Sequence, residues 1–225
     1  MSGVREPELP PNLIPGSGKK SIFGRKPGES AGKGFTLIEI LIGLAVGGLV
    51  MSAVMGVFII QNKSYDLQEQ MTRMVQTARA AMDMMAREVR MAGYDPADTG
   101  FEGITYNAAV LQLKADLGGD NAGDPPDGDT DDANECIAYR HDPINLQIDR
   151  NTGGGNQPFA ENIETFSFAY LDKNGHSTTV SDDIRQLRLT ITARTAKADP
   201  NYPVNGGYRT YTLCSSVTPP NLACP

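Results

Sequence analysis

Residues that usually carry out chemistry are scarce in this chain of 225 residues. It has two histidines, His141 and His176, and three cysteines, Cys136, Cys214 and Cys224. Neither histidine belongs to H-E-x-x-H or another metal-ligand spacing, and no G-x-S-x-G, G-x-x-x-x-G-K-[ST] or supported Cys–His arrangement occurs. Gly153-Gly154-Gly155 lacks the preceding strand and following helix that a phosphate loop needs, so it reads as a flexible turn. Asp182-Asp183 stands just before a strand pattern and reads as a hydrated turn rather than a catalytic pair. An enzyme therefore has no motif behind it. Beyond residue 34 there is no cluster of Lys or Arg, which argues against direct nucleic-acid binding through phosphates. Two further absences concern the backbone. No charge occurs from Ile40 to Ile60, and no proline from Phe35 to Tyr94.

The uncharged run is the organising feature. Its 21 residues at about 1.5 Å each suffice to cross a hydrocarbon layer of roughly 30 Å. One acid, Glu39, stands at its entrance, where a carboxylate loses hydration unless a partner replaces it. Residues 1–34 carry six basic and three acidic side chains, the remainder 14 basic and 24 acidic, so a leader of about +3 precedes a part of about −10. Positive charge beside a span favours the cytoplasmic side and sends the acidic part outward. The leader holds Pro7, Pro10, Pro11, Pro15, Gly16 and Gly18 and shows no apolar periodicity. A secretory signal fits poorly, because the apolar run is too long and no A-x-A site closes it. An ordinary signal anchor bearing a binding domain is the plain alternative.

Gly34-Phe35-Thr36-Leu37-Ile38-Glu39, followed by the uncharged span, resembles the N-terminal signature of type IV prepilins and pseudopilins. The resemblance implies that prepilin peptidase cuts between Gly34 and Phe35, that the new amine of Phe35 is methylated, and that Glu39 pairs with the amine of a neighbouring subunit. A second likeness covers Met71–Pro96 and residues 157–164 with the strand Phe166–Asp172. These stretches are similar to PilW-type minor pilins, relatives of the J-type minor pseudopilins of type II secretion. The likeness implies a minor, non-catalytic filament subunit that helps initiate assembly or sits near the tip. Its partners would be other minor and major pilins, prepilin peptidase, the pilus assembly platform and the inner membrane.

After Ile60 the pattern becomes amphipathic. Met71, Met74, Val75, Ala78, Met82, Met85, Val89 and Ala92 recur at helical spacing, opposite Glu69, Arg73, Gln76, Arg87 and Arg90. The methionines read as core packing rather than a cofactor site. Gly43, Gly47, Gly48 and Gly56 permit close helix approach or local melting. Gly93 and Asp95-Pro96 supply a stop. The expected organisation is a removed leader (1–34), a transmembrane or filament-core helix (35–60), its amphipathic continuation (61–94) and an exported β-rich domain (95–225). Strands are expected over Ile104–Leu113, Glu135–Tyr139, Asn145–Ile148, Ile163–Leu171, Ser177–Val180 after an Asn174-Gly175 turn, Ile184–Thr195 and Tyr208–Leu213. Leu187, Leu189, Ile191 and Ala193 alternate with polar residues most clearly. The fold class is α+β, pilin-like: one long helix whose methionine face covers an antiparallel sheet.

The loop 116–135 carries acids at 116, 120, 124, 127, 129, 131, 132 and 135. Such a cluster either binds calcium, a hard cation that prefers oxygen, or stays a solvated acidic loop. Asp127, Asp129 and Asp131 have the first three spacings of an EF-hand loop. The match then fails, since Asp132 replaces the turn glycine and Ala138 the bidentate acid, leaving Glu135 to substitute. No other cofactor is expected. All three cysteines fall in the part expected to be exported, where disulfides persist. Cys214–Cys224 closes a short loop and Cys136–Cys214 is the alternative pair.

Overall fold

The proline-free stretch forms one helix, α1 (Leu37–Met91), in the computed structural model, which describes residues 34–121 and 123–222. Apart from Gly34, the leader lies outside the described residues. The described residues divide into two units, one ending at Ser52 and the other beginning at Ala53. In the described part of the first, every residue from 34 to 52 is exposed, and Ser52 Oγ donates back to the Gly48 carbonyl at 2.9 Å within the helix.

In the second unit the amphipathic pattern becomes burial. Met74, Ala78, Ala81, Met82, Met85, Ala86 and Val89 of α1 are buried, while Glu69, Arg73, Gln76, Arg87 and Arg90 are exposed. Met71, expected on the apolar face, is exposed because it precedes the part of the helix that the sheets cover. The helix ends at Met91, short of the expected Tyr94. Gly93 takes a positive φ of 76°, which costs glycine little, and its N–H donates to the Lys114 carbonyl at 2.8 Å. Asn221 Nδ2 donates to the carbonyls of Met91 and Ala92 at 3.3 and 3.4 Å, satisfying acceptors that the helix leaves open. Gly103 passes so close that a Cβ there would lie 2.3 Å from the Gly93 nitrogen. Two glycines let the helix end dock on the sheet.

Among the described residues eight strands follow: β1 (Ile104–Thr105), β2 (Val110–Lys114), β3 (Cys136–Asp142), β4 (Gln147–Asn151), β5 (Gln157–Glu161), β6 (Ile163–Leu171), β7 (Gln186–Arg194) and β8 (Thr210–Val217). β1 to β5 form one antiparallel meander and β6 to β8 another. The stretch 104–113, expected as one strand, is instead a hairpin. Asn107 Oδ1 accepts the N–H groups of Ala109 and Val110 at 2.8 and 3.1 Å, turning the chain so that Ile104 faces Leu113.

The alternation in β7 is observed as read, with Leu187, Leu189, Ile191 and Ala193 buried. In β6 a register shift between Ile163 and Thr165 lets both Ile163 and Phe166 face inward. Ser177–Val180 is not a strand. A tight turn does follow Leu171, with the Asp172 N–H donating to the His176 carbonyl at 2.8 Å. Only one bridge, Leu171 to Ser177, forms before the chain turns at Ser181–Asp183 into β7, the strand that pairs with β6. One core joins the methionine face of α1 to both sheets, through Leu111, Tyr139, Ile148, Ile163, Leu187 and Leu189 among others.

Candidate functional site

The start of α1 is a capping box. The Glu39 N–H donates to Thr36 Oγ1 at 3.3 Å, while the Thr36 N–H and hydroxyl both donate to Glu39 Oε2 at 3.0 Å. The T-x-x-E spacing satisfies two of the donors that a helix N-terminus leaves open. It also sets a carboxylate beside the positive end of the helix dipole. Phe35 is 83% exposed, and nothing lies within 4 Å of where a Cβ on Gly34 would stand. Packing within the chain therefore does not ask for glycine at 34.

Every residue from 34 to 66 is exposed, including Leu37, Ile40, Leu44, Leu49, Val54 and Phe58. A continuous apolar helical surface of this length is stable in water only when something covers it. Among the described residues, α1 is the one helix long and apolar enough to cross a membrane. The single acid between residues 34 and 60 is Glu39, the one held by the capping box.

The acidic loop joins β2 to β3 and is tied at both stems. Ala115 N–H donates to the Glu135 carbonyl at 3.0 Å, Asp116 N–H to the Tyr94 carbonyl at 2.9 Å, and Gly128 N–H to Asp116 Oδ2 at 3.0 Å. Glu135 is buried, and its Oε1 accepts the N–H groups of Leu117 and Gly118 at 2.6 and 2.9 Å. Its Oε2, Asp132 Oδ2 and Asp116 Oδ1 are buried without a hydrogen-bond partner among the described residues. Two carboxylate trios share Asp132: Asp120 with Asp127 and Asp132, and Asp129 with Asp132 and Glu135, ligand oxygens within each lying within 4.8 Å of one another. Asp131, included by the EF-hand-like spacing, belongs to neither trio and is exposed; its N–H donates to Asp129 Oδ1 at 3.2 Å. Burial first, then the charges of Asp127, Glu135, Asp120 and Asp129, push the Asp132 carboxyl above its usual range.

One ionic cluster escaped the sequence reading. Glu88 on α1 is buried and accepts from Arg150 Nε and Nη2 of β4 on Oε1 at 3.1 and 2.8 Å, and from the Tyr139 hydroxyl of β3 on Oε2. Burial, then the Glu88 carboxylate, pushes the Tyr139 hydroxyl far above its usual value, so it stays a donor. The signal was present, because position 88 lies three residues after Met85 and seven after Ala81, on the apolar stripe.

Cys136 and Cys214 are not joined to each other. Cys136 opens β3 opposite Lys114, and Cys214 sits in β8 opposite Thr190, in the other sheet. Cys224, the other partner considered for Cys214, lies outside the described residues.

A family model described as prepilin peptidase-dependent protein B matches residues 67–213, well over half of the chain. A second, described as the prokaryotic N-terminal methylation motif, matches residues 30–55. No curated protein matches the chain. Among solved structures, a type IV-like pilin from Thermus thermophilus is similar at 17% identity and a TM-score of 0.40, over 66% of this chain and 98% of that one.

Proposed function

Because the chain belongs to the prepilin peptidase-dependent protein B family and carries the N-terminal methylation motif, we propose that it is a minor pilin of a type IV pilus. It is a type IV pilin-like, non-enzymatic protein with a membrane-anchoring helix. The finer reading is of a PilW-type subunit that helps initiate the filament or sits near its tip. The observation that carries the pilin reading is the exposed apolar helix of residues 37–60 with one acid, Glu39, in its first turn.

In this reading prepilin peptidase cuts between Gly34 and Phe35, leaving a primary amine at the apolar end of the chain. Residues 35–60 cross the inner membrane, residues 1–34 face the cytoplasm before removal, and residues 61–225 lie outside. On assembly the helix leaves lipid for the filament core among other minor and major pilins. The Glu39 carboxylate then needs a cation, since a lone charge in an apolar medium costs several kcal/mol and a paired one much less. The methylated amine of a neighbouring Phe35 is that cation. A charge pair of this kind also sets the axial register, because sliding one subunit leaves both charges unpaired. The capping box prepares Glu39 for the role by holding its carboxylate in the first turn.

The test is the N-terminal mass of the chain taken from native membranes and from sheared surface material, for the wild type, Gly34→Ile and Glu39→Gln. The expected wild-type chain starts at methylated Phe35 and is found in both fractions. Gly34→Ile should remain uncleaved and stay out of the sheared fraction. Glu39→Gln should be cleaved and membrane-bound, yet depleted from sheared filaments. An intact Lys33–Phe35 stretch in the wild type overturns the reading in favour of a signal-anchored domain. A processed chain absent from surface filaments, whose loss stops secretion, assigns it to a type II pseudopilus instead.

A further inference from the structure

We propose that the loop between β2 and β3 is a calcium site, with Glu135, Asp132 and Asp129 as its core ligands and Asp120 and Asp127 as supporting carboxylates. The inference is independent of the filament role. Glu135 is 2% exposed, and its Oε1 is fixed by two backbone N–H groups while its Oε2 is buried with no partner among the described residues. A buried carboxylate oxygen without a donor is costly, and a cation removes that cost. The carboxylate belongs to a trio with Asp129 and Asp132 whose ligand oxygens all lie within 4.8 Å of one another. Oxygens around one calcium ion, each about 2.3–2.6 Å from it, lie no more than roughly 5 Å apart, so the spread fits a shared ion.

The second buried orphan, Asp132 Oδ2, comes from another member of the same trio. Asp132 also joins Asp120 and Asp127, which bring further negative charge beside the ion. Among the described residues none of these five acids forms an ion pair with Lys, Arg or His. The charge thus has no counterpart among the described side chains. Neither trio contains a His or Cys, so the donors are hard oxygens that suit calcium rather than zinc. An irregular, carboxylate-rich loop meets the flexible coordination of calcium more readily than the near-ideal octahedron of magnesium. The ligand set differs from an EF-hand: Asp131 stays outside, while Asp132 and the buried Glu135 take the central places. The ion would pin the loop to the strand end that receives Glu135.

The experiment uses the full chain in detergent micelles, stripped with EGTA and titrated calorimetrically with Ca2+ alone, then with Mg2+ as competitor. One ion per chain is expected, with a Kd between about 10⁻⁵ and 10⁻³ M, the range of moderate to weak protein sites. Asp132→Asn and Glu135→Gln should each weaken binding by about tenfold or more, and Asp131→Asn by less than about twofold. Asp132→Asn, at a partly exposed position, carries the test where Glu135→Gln alters folding, and circular dichroism distinguishes the two effects. No calcium heat at about 10 mM in the wild type overturns the proposal, as does a titration unchanged in both variants. Equal affinity for Mg2+ overturns the choice of ion, and an Asp131→Asn loss matching that of Asp132→Asn overturns the ligand set.

Discussion

Glu88→Ala is the substitution whose effect the structure determines most directly. The Glu88 carboxylate accepts three hydrogen bonds, two from Arg150 and one from Tyr139, at a residue 7% exposed. Truncation leaves the Tyr139 hydroxyl buried without an acceptor, at about 1–3 kcal/mol, and strands a guanidinium whose side chain is 20% exposed. Breaking a buried pair by removing one partner costs about 3–5 kcal/mol, and the partial exposure of Arg150 favours the lower half of that range. For chains of 150–250 residues each kcal/mol moves the midpoint by about 2–4 °C, so melting should fall by roughly 6–16 °C. The assay is thermal unfolding of the full chain in micelles, followed by far-ultraviolet circular dichroism. Glu88→Gln, which keeps an acceptor for Arg150, should lose about half as much or less. Replacing all three members together, as Glu88→Leu, Tyr139→Phe and Arg150→Met, should be neutral or stabilising, because no charge is left stranded. A loss under about 1 kcal/mol for Glu88→Ala, with α1 still packed on β3 and β4, refutes the reasoning. The same holds if the triple variant is worse than the single one.

Two further outcomes follow from backbone geometry and from the turns. Gly103→Ala places a Cβ 2.3 Å from the Gly93 nitrogen, which backbone movement alone relieves, so a loss of about 2 kcal/mol or more is expected in the same melting assay; unchanged melting rejects the close approach. Asp95, Asp172 and Asp199 accept the N–H groups of Gly100, His176 and Asn201, and those bonds hold each carboxyl below its usual range. A depressed folded value means that the contribution is complete above the unfolded value of about 3.9 and is lost as pH falls through the folded one. Exchange of the Gly100, His176 and Asn201 amides, compared with neighbouring loop amides, should therefore lose protection as pH falls below about 4; no differential loss contradicts the assignment.

The parts legible in the sequence were those coded by neighbours along the chain. Eight positions from Met71 to Ala92 announced the buried face of α1 because a helix repeats every three to four residues, and six of the eight are buried. The alternation from Leu187 to Ala193 announced β7 for the corresponding reason, as a strand repeats every two. Local patterns misled where one side chain redirected the backbone, as Asn107 does in folding 104–113 into a hairpin. They also misled at Ser177–Val180, where strand-like composition met no continuing partner. β5 went unread because Gln157-Pro158-Phe159-Ala160-Glu161 is short and its alternation weak; its pairing with β4 supplies what composition does not.

The sequence alone determined the anchor and the class. A 21-residue uncharged run, one acid three residues after Thr36, and a proline-free amphipathic continuation are properties of contiguous residues, so burial periodicity and the capping box follow from them directly. Only the tertiary structure decided which acids are isolated and which are engaged. Glu88 meets Arg150 across 62 residues and Tyr139 across 51, and Gly93 meets the backbone of Gly103. Glu135 is buried beside Asp129 and Asp132 while Asp131 turns to solvent. These are matters of sheet register and loop path. An acidic residue looks the same in sequence whether water, an arginine or a cation will surround it, and the surroundings are created by packing elements that the chain brings together from far apart.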